Sequence, residues 1–174
     1  MEEVRQVPAF VYPKRPEQGF NDIILRYAKY GIRGALHAVQ LLWAGVFERF
    51  PTLHIYFAET QIGWIPNFYE LMDEHYLRHQ MWTERLLGLK TFEKLPSDYL
   101  KEHCYWGFVY NPVGVRTMER EAGVDRIMWA SDFPHAESDW PNSQSVIKKS
   151  VVGLTEAEKR KVISGNAIEF FGLA

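Results

Sequence analysis

The run Arg126-Ile127-Met128-Trp129-Ala130-Ser131-Asp132-Phe133-Pro134-His135 decides how this chain is read. An apolar stretch of strand length ends in a carboxylate, and a proline stiffens the exit. In α/β folds the chemistry sits in the loops beyond the carboxyl ends of the strands, whether the sheet is open or closed into a barrel. Asp132 falls at such an end, with His135 within one turn of it. A carboxylate there can bind a divalent metal or take a proton from metal-bound water. Asp is also a common turn residue. Spacing alone therefore leaves a plain capping role open for Asp132, and a solvated one for His135.

Working outward, the same pattern recurs. Apolar runs lie at residues 7–12, 53–58 and near 103–109, besides 126–130. Amphipathic stretches follow them: about 21–50 with a break near Gly31, about 67–87, and 113–122. A helix near 143–150 and a last helical pair come after the fourth run. Thr155 and Glu158 have capping-box spacing in that pair. Alternation of this kind predicts an α/β fold with a parallel sheet and helices packed against it. The runs do not alternate apolar and polar, as expected of strands covered on both faces. An open doubly wound sheet and part of a barrel both fit. The strand-end rule then points to Tyr12, Glu59, Tyr110, Asn111, and Asp132 through His135.

Glu59 follows Leu53-His54-Ile55-Tyr56-Phe57-Ala58. A carboxylate partly buried at the mouth of a sheet needs a cationic partner. An acid near the start of the next helix is also favourable to the helix dipole, so both roles stay open. His75 and His79 are spaced i, i+4, but no Glu stands between them as a His-Glu-x-x-His motif requires. They read as surface or packing residues of a helix body. His37 and His54 read as structural, and His103 as the start of a strand, opposite the chemistry. Cys104 beside it reads as a buried thiol.

Composition narrows the function classes. The 174 residues favour one domain spanning 1–174, and 47% hydrophobic with 15% aromatic residues supply core material. A net charge of −2 argues against a nucleic-acid partner. No apolar run approaches the roughly 18 residues of a membrane span. One cysteine excludes an internal disulfide, and a reducing cytoplasm is the expected compartment. Glycine-rich nucleotide loops and the Gly-x-Ser-x-Gly elbow are absent.

Three segments together resemble the amidohydrolase-related family, whose members include decarboxylases of the aminocarboxymuconate-semialdehyde type. They are Glu48-Arg49-Phe50-Pro51-Thr52-Leu53-His54-Ile55, Gly63-Trp64-Ile65-Pro66, and Gly123-Val124-Asp125-Arg126 running into the Asp-Phe-Pro-His loop with Trp140-Pro141-Asn142-Ser143. The terminal Ser164-Gly165-Asn166-Ala167-Ile168-Glu169-Phe170-Phe171-Gly172-Leu173 is similar to that family's closing helix. The resemblance implies a (β/α)₈ barrel with a divalent metal, usually zinc. Asp132 matches the family's last-strand metal ligand. Glu59 stands where the family has a histidine acting on substrate or water. Tyr12 falls at the middle-strand ligand, a poor zinc ligand beside histidine. His135, Tyr12 and Trp64 are expected to face substrate or support the residues that do.

A full barrel takes about 250 residues, so this chain corresponds to the C-terminal half, about four β-α units. The family's first-strand metal pair is missing. The expected function is metal-dependent hydrolysis of a small carboxylated or cyclic substrate. The alternatives are non-oxidative decarboxylation, or a catalytically incomplete half-barrel. Unpaired strand edges imply a homo-oligomer or a missing N-terminal half as partner.

Overall fold

The computed structural model describes residues 32–88, 91–135 and 138–173. The expected first strand at 7–12, Tyr12 with it, and the break near Gly31 lie outside them. Three parallel strands form one sheet in sequence order: β1 (Ile55–Phe57), β2 (Cys104–Phe108) and β3 (Ile127–Trp129). Each consecutive pair is joined by a helical crossover, and none of the three reverses the order as a doubly wound sheet does at its switch point.

The helices are α1 (Ile32–Trp43), α2 (Val46–Arg49), α3 (Ile65–Leu87), α4 (Pro96–His103), α5 (Pro112–Glu121), α6 (Ser143–Ser150), α7 (Glu156–Arg160) and α8 (Asn166–Phe171). A π-helical turn, Lys161–Gly165, joins the last two. The expected helix to residue 50 divides at Gly45, whose φ of 67° ends α1 and starts α2. The capping box on α7 is present, with Thr155 and Glu158 bonding reciprocally.

Alternation along the strands divides the sheet into two faces. Phe57, Trp106, Phe108 and Ile127 belong to one face and join the core formed with Leu42, Phe47, Ile65, Leu100 and Val115 from the helices. Phe57 stacks on Trp106 at 4.7 Å, and Trp64 meets the same indole edge-on at 5.3 Å. Trp106 donates its ring N–H to the Tyr69 hydroxyl at 3.0 Å, so its burial leaves no polar atom unmet. The other face carries Tyr56 paired with Tyr105, and Gly107 paired with Met128. Phe170 of α8 packs on Tyr105 at 4.9 Å.

Two non-local ties fix this frame. Asp73 of α3 accepts from the Ser97 backbone N–H at 2.8 Å and from its hydroxyl at 2.7 Å, which caps α4. Buried Asn166 donates to the carbonyls of Val124 and Ile127 at 2.7 and 2.8 Å, which holds α8 to the start of β3. His103 ends α4 rather than opening β2. It is buried, lies 2.7 Å through Nδ1 from the Leu53 carbonyl, and stacks on Phe47 at 4.7 Å. Cys104 is fully buried, and burial pushes its thiol pKa up, so it is not a nucleophile.

Candidate functional site

Parallel strands place their carboxyl ends on one rim. Glu59 follows β1 and Asp132 follows β3, with β2 between them. Two interstrand spacings put their backbones about 10 Å apart. At that separation they can flank one small ligand but cannot share a proton directly.

The Asp132 loop is the most organised part of the rim. Asp132 has φ 55°, the left-handed region, and its side chain is 20% exposed. Its Oδ2 lies 2.9 Å from His135 Nδ1, and the His135 N–H closes the turn onto the Asp132 carbonyl at 2.8 Å. Ser138 Oγ and the Asp139 N–H both donate to the Ser131 carbonyl, at 2.8 and 3.3 Å. The loop thus folds back and clamps the residue before Asp132. The peptide bonds preceding Pro134 and Pro141 are cis.

The Glu59 turn is held differently. Glu59 and Gln61 have φ 57° and 55°, and Glu59 is exposed rather than partly buried. Trp64 Nε1 donates to the carbonyls of Thr60 and Gln61 at 3.0 and 3.1 Å. Its ring packs between Trp106 and Phe68. Trp64 therefore fixes the turn that carries Glu59, and its N–H is committed to that turn. Tyr110 is exposed on the rim after β2.

The described residues with φ > 0 that are not glycine number three: Glu59, Gln61 and Asp132. All lie on this rim, where backbone strain tends to be retained for function. Buried polar atoms without a hydrogen-bond partner concentrate here too. They are Gln61 Oε1, Asn111 Oδ1, Trp129 Nε1 and Asp139 Oδ2, with Ser150 Oγ elsewhere. Burial raises the Asp139 carboxyl pKa. Asn111 is legible as a strand-end residue. Gln61, Trp129 and Asp139 are not, because their exposure depends on how the loops fold back.

Among the described residues no group of three or more His, Cys, Asp or Glu is arranged to hold a metal. Asp132 offers one hard oxygen ligand. A catalytic metal normally takes three protein ligands, so the described rim by itself does not fit a complete metal centre. A groove of about 640 Å³ lies away from the rim, between α1 and α3, lined by Trp43, Met72, Tyr76 and Phe92. His75 and His79 border it, and His79 Nδ1 accepts from Trp82 at 3.1 Å. It is an apolar cleft between surface helices, with none of the strand-end residues in it, and the loops at the sheet's mouth remain the better candidate. No described helix is long and apolar enough to cross a membrane.

Comparison with known proteins agrees with this frame. γ-Resorcylate decarboxylase of Polaromonas sp. JS666 is 27% identical over 188 residues, which covers 96% of this chain and 51% of that protein. The crystal structure of 5-carboxyvanillate decarboxylase from Sphingomonas paucimobilis superposes with a TM-score of 0.68 at 24% identity, over 82% of this chain and 41% of that one. Dihydroxybenzoic acid decarboxylase from Polaromonas sp. JS666, solved with bound manganese, gives a TM-score of 0.59 at 24% identity over 82% and 41%. The chain spans about half the length of the curated relative it matches. A family model described as amidohydrolase matches residues 34–173, nearly the whole described chain, and the chain belongs to that family.

Proposed function

We propose that this chain is the C-terminal half of a barrel-type, metal-dependent, non-oxidative decarboxylase of hydroxylated aromatic carboxylic acids. The observation that carries the reading is Asp132: a carboxylate held in a left-handed turn at the end of β3 and paired with His135 at 2.9 Å. The relatives named above act on carboxylated phenols, which favours decarboxylation over the hydrolysis that the sequence first suggests. In such a reaction the C–CO₂ bond breaks, its electron pair passes to the ring carbon, and that carbon takes a proton. Asp132 would be one ligand of a divalent ion, which supplies Lewis acidity when bound. Carboxylate ligands suit manganese as well as zinc, and a relative carries manganese. Glu59, at the other side of the rim, would face the ring or a water beside it. His135 would orient Asp132, and Trp64 would hold the Glu59 turn.

The test is turnover of γ-resorcylate (2,6-dihydroxybenzoate) with Mn²⁺, followed by CO₂ release. Activity lost in Asp132→Ala supports the reading. Hydrolysis of a lactone or amide by the same site, without CO₂ from any phenolic acid, would replace it with the hydrolase alternative. A second reading is favoured by the half-length match and the incomplete ligand set: the chain works only with an N-terminal half that supplies the missing ligands. Turnover that appears only on co-expression with the N-terminal half of the Polaromonas relative would show this.

A further inference from the structure

The second face of the sheet carries a hydroxyl that the strand-end carboxylates do not account for. Tyr56 is the central residue of β1 and pairs with Tyr105 of β2. Two positions along β2, on the same face, stands Gly107. A Cβ on Gly107 would overlap the Tyr56 hydroxyl, and would lie 2.9 Å from its Cζ and 3.0 Å from the Glu59 backbone nitrogen. The phenol therefore reaches diagonally toward the rim, into the space that a side chain at Gly107 would fill, and ends beneath the turn that presents Glu59. Phe170 and Phe171 hold its ring at centroid distances of 6.0 and 6.2 Å. Nothing in the packing of a strand requires a hydroxyl there, since phenylalanine would fill the same space between the aromatic rings. Burial, and after it the charge of Glu59, push the Tyr56 pKa up, so the group is a neutral donor across the physiological range.

We propose that Tyr56 is a specificity-determining residue: its hydroxyl, admitted by the missing side chain at Gly107, is the hydrogen-bond donor on the floor of the Glu59–Asp132 rim for a phenolic oxygen of the aromatic acid. The substrate half of this inference rests on the decarboxylase reading above. The geometric half does not. A donor below an acidic turn suits a phenolic hydroxyl lying between them, which can accept from Tyr56 and donate to Glu59, and it penalises a ring that lacks that hydroxyl by leaving the Tyr56 donor unmatched.

Two measurements on the chain test it. With tyrosine labelled at Cζ, the Tyr56 resonance (assigned by its loss in Tyr56→Phe) is titrated with pH. Glu59→Gln, which removes the charge above it, should move the Tyr56 titration to lower pH, and Gly107→Ala should shift the resonance itself. A Tyr56 titration indifferent to Glu59→Gln would overturn the proposal. In the second measurement, 2,6-dihydroxybenzoate and benzoate are bound in the presence of Mn²⁺. Tyr56→Phe should weaken the dihydroxy acid about tenfold, which is about 1.4 kcal/mol, and benzoate far less, since benzoate has no phenolic oxygen to lose the bond. Equal loss for both acids, or none, would also overturn it. Absence of binding, both to the wild-type chain alone and to the chain co-expressed with the N-terminal half of the Polaromonas relative, would instead sink the decarboxylase reading and the substrate half with it, while the titration still decides whether Tyr56 answers to Glu59.

Discussion

Asp132 occupies a backbone region that costs most side chains on the order of 1–3 kcal/mol. Asp and Asn bear that cost more easily than branched residues do. Conformation and chemistry can thus be separated at one position. Asp132→Asn should keep the urea midpoint close to wild type while abolishing decarboxylation. Asp132→Val should lower stability by about 1–3 kcal/mol as well. An Asn variant that unfolds like the Val variant would mean the carboxylate is structural, held for its contact with His135. His54 gives a second residue-scale expectation. Partial loss of hydration, then the charges of Arg126 and His103, lower its pKa below 6.5, against an opposing pull from Glu169. The folded state therefore holds fewer protons on His54 than the unfolded chain does. Its contribution to stability is present above pH 6.5 and is lost as pH falls through the lowered folded value. Chemical denaturation from pH 7.5 to 5 should show wild type losing stability faster than His54→Gln. Parallel curves would show that His54 does not participate.

At the scale of elements, the strands are legible for a physical reason. A parallel strand covered on both faces reads as a continuous apolar run, and Cys104-Tyr105-Trp106-Gly107-Phe108 is buried throughout. Strand ends then point to Glu59 and Asp132. The helix α4 is hidden because its cap is not local: Asp73, on α3, bonds Ser97 across 24 positions. His103 is misread for the same reason, since the helix that it ends is invisible. Gln61, Trp129 and Asp139 join the candidate site only through loops that fold back on the rim. The Asn166 tie is equally non-local. Replacing it with alanine would leave the Ile127 carbonyl without its donor, and the Val124 carbonyl with only the 3.4 Å bond from the Ile127 N–H. A buried acceptor left unmet costs about 1–3 kcal/mol, so Asn166→Ala should lower stability by roughly that amount in urea. A loss below about 0.5 kcal/mol would mean that α8 is held mainly by Phe170 and Phe171.

For the whole molecule, the question is where its apolar surface is covered. The sequence points to the strand edges as the place of association, with Phe10, Tyr12 and Trp129 exposed there. Phe10 and Tyr12 lie outside the described residues. Trp129 is only partly exposed, and it packs against the core on the helix side of the sheet. Phe170 and Phe171 cover Tyr56, and Phe170 also covers Tyr105, on the other side. Among the described residues, a run of exposed apolar side chains lies instead on α3. Its 23 residues run about 35 Å, and residues 84–88 are exposed on every side. Met81, Leu86 and Leu87 are 84%, 71% and 63% exposed, with Trp82 and Leu77 beside them. A free helical end gains little from its own hydrogen bonds, and apolar surface of this extent seldom stays uncovered. The helix is also charge-graded: Glu70, Asp73 and Glu74 lie toward its start, and Arg78 and Arg85 outnumber Glu84 toward its end. An antiparallel two-fold pairing would set the acidic part of one copy against the basic part of the other, as an isologous interface requires. The chain should therefore sediment as a dimer at micromolar concentration. Met81→Glu combined with Leu86→Glu should shift it to monomer without disturbing the Asp132 loop. Dimers that survive both substitutions would return the contact to the strand edges, and a wild-type monomer would mean that the free end of α3 stands alone in solution.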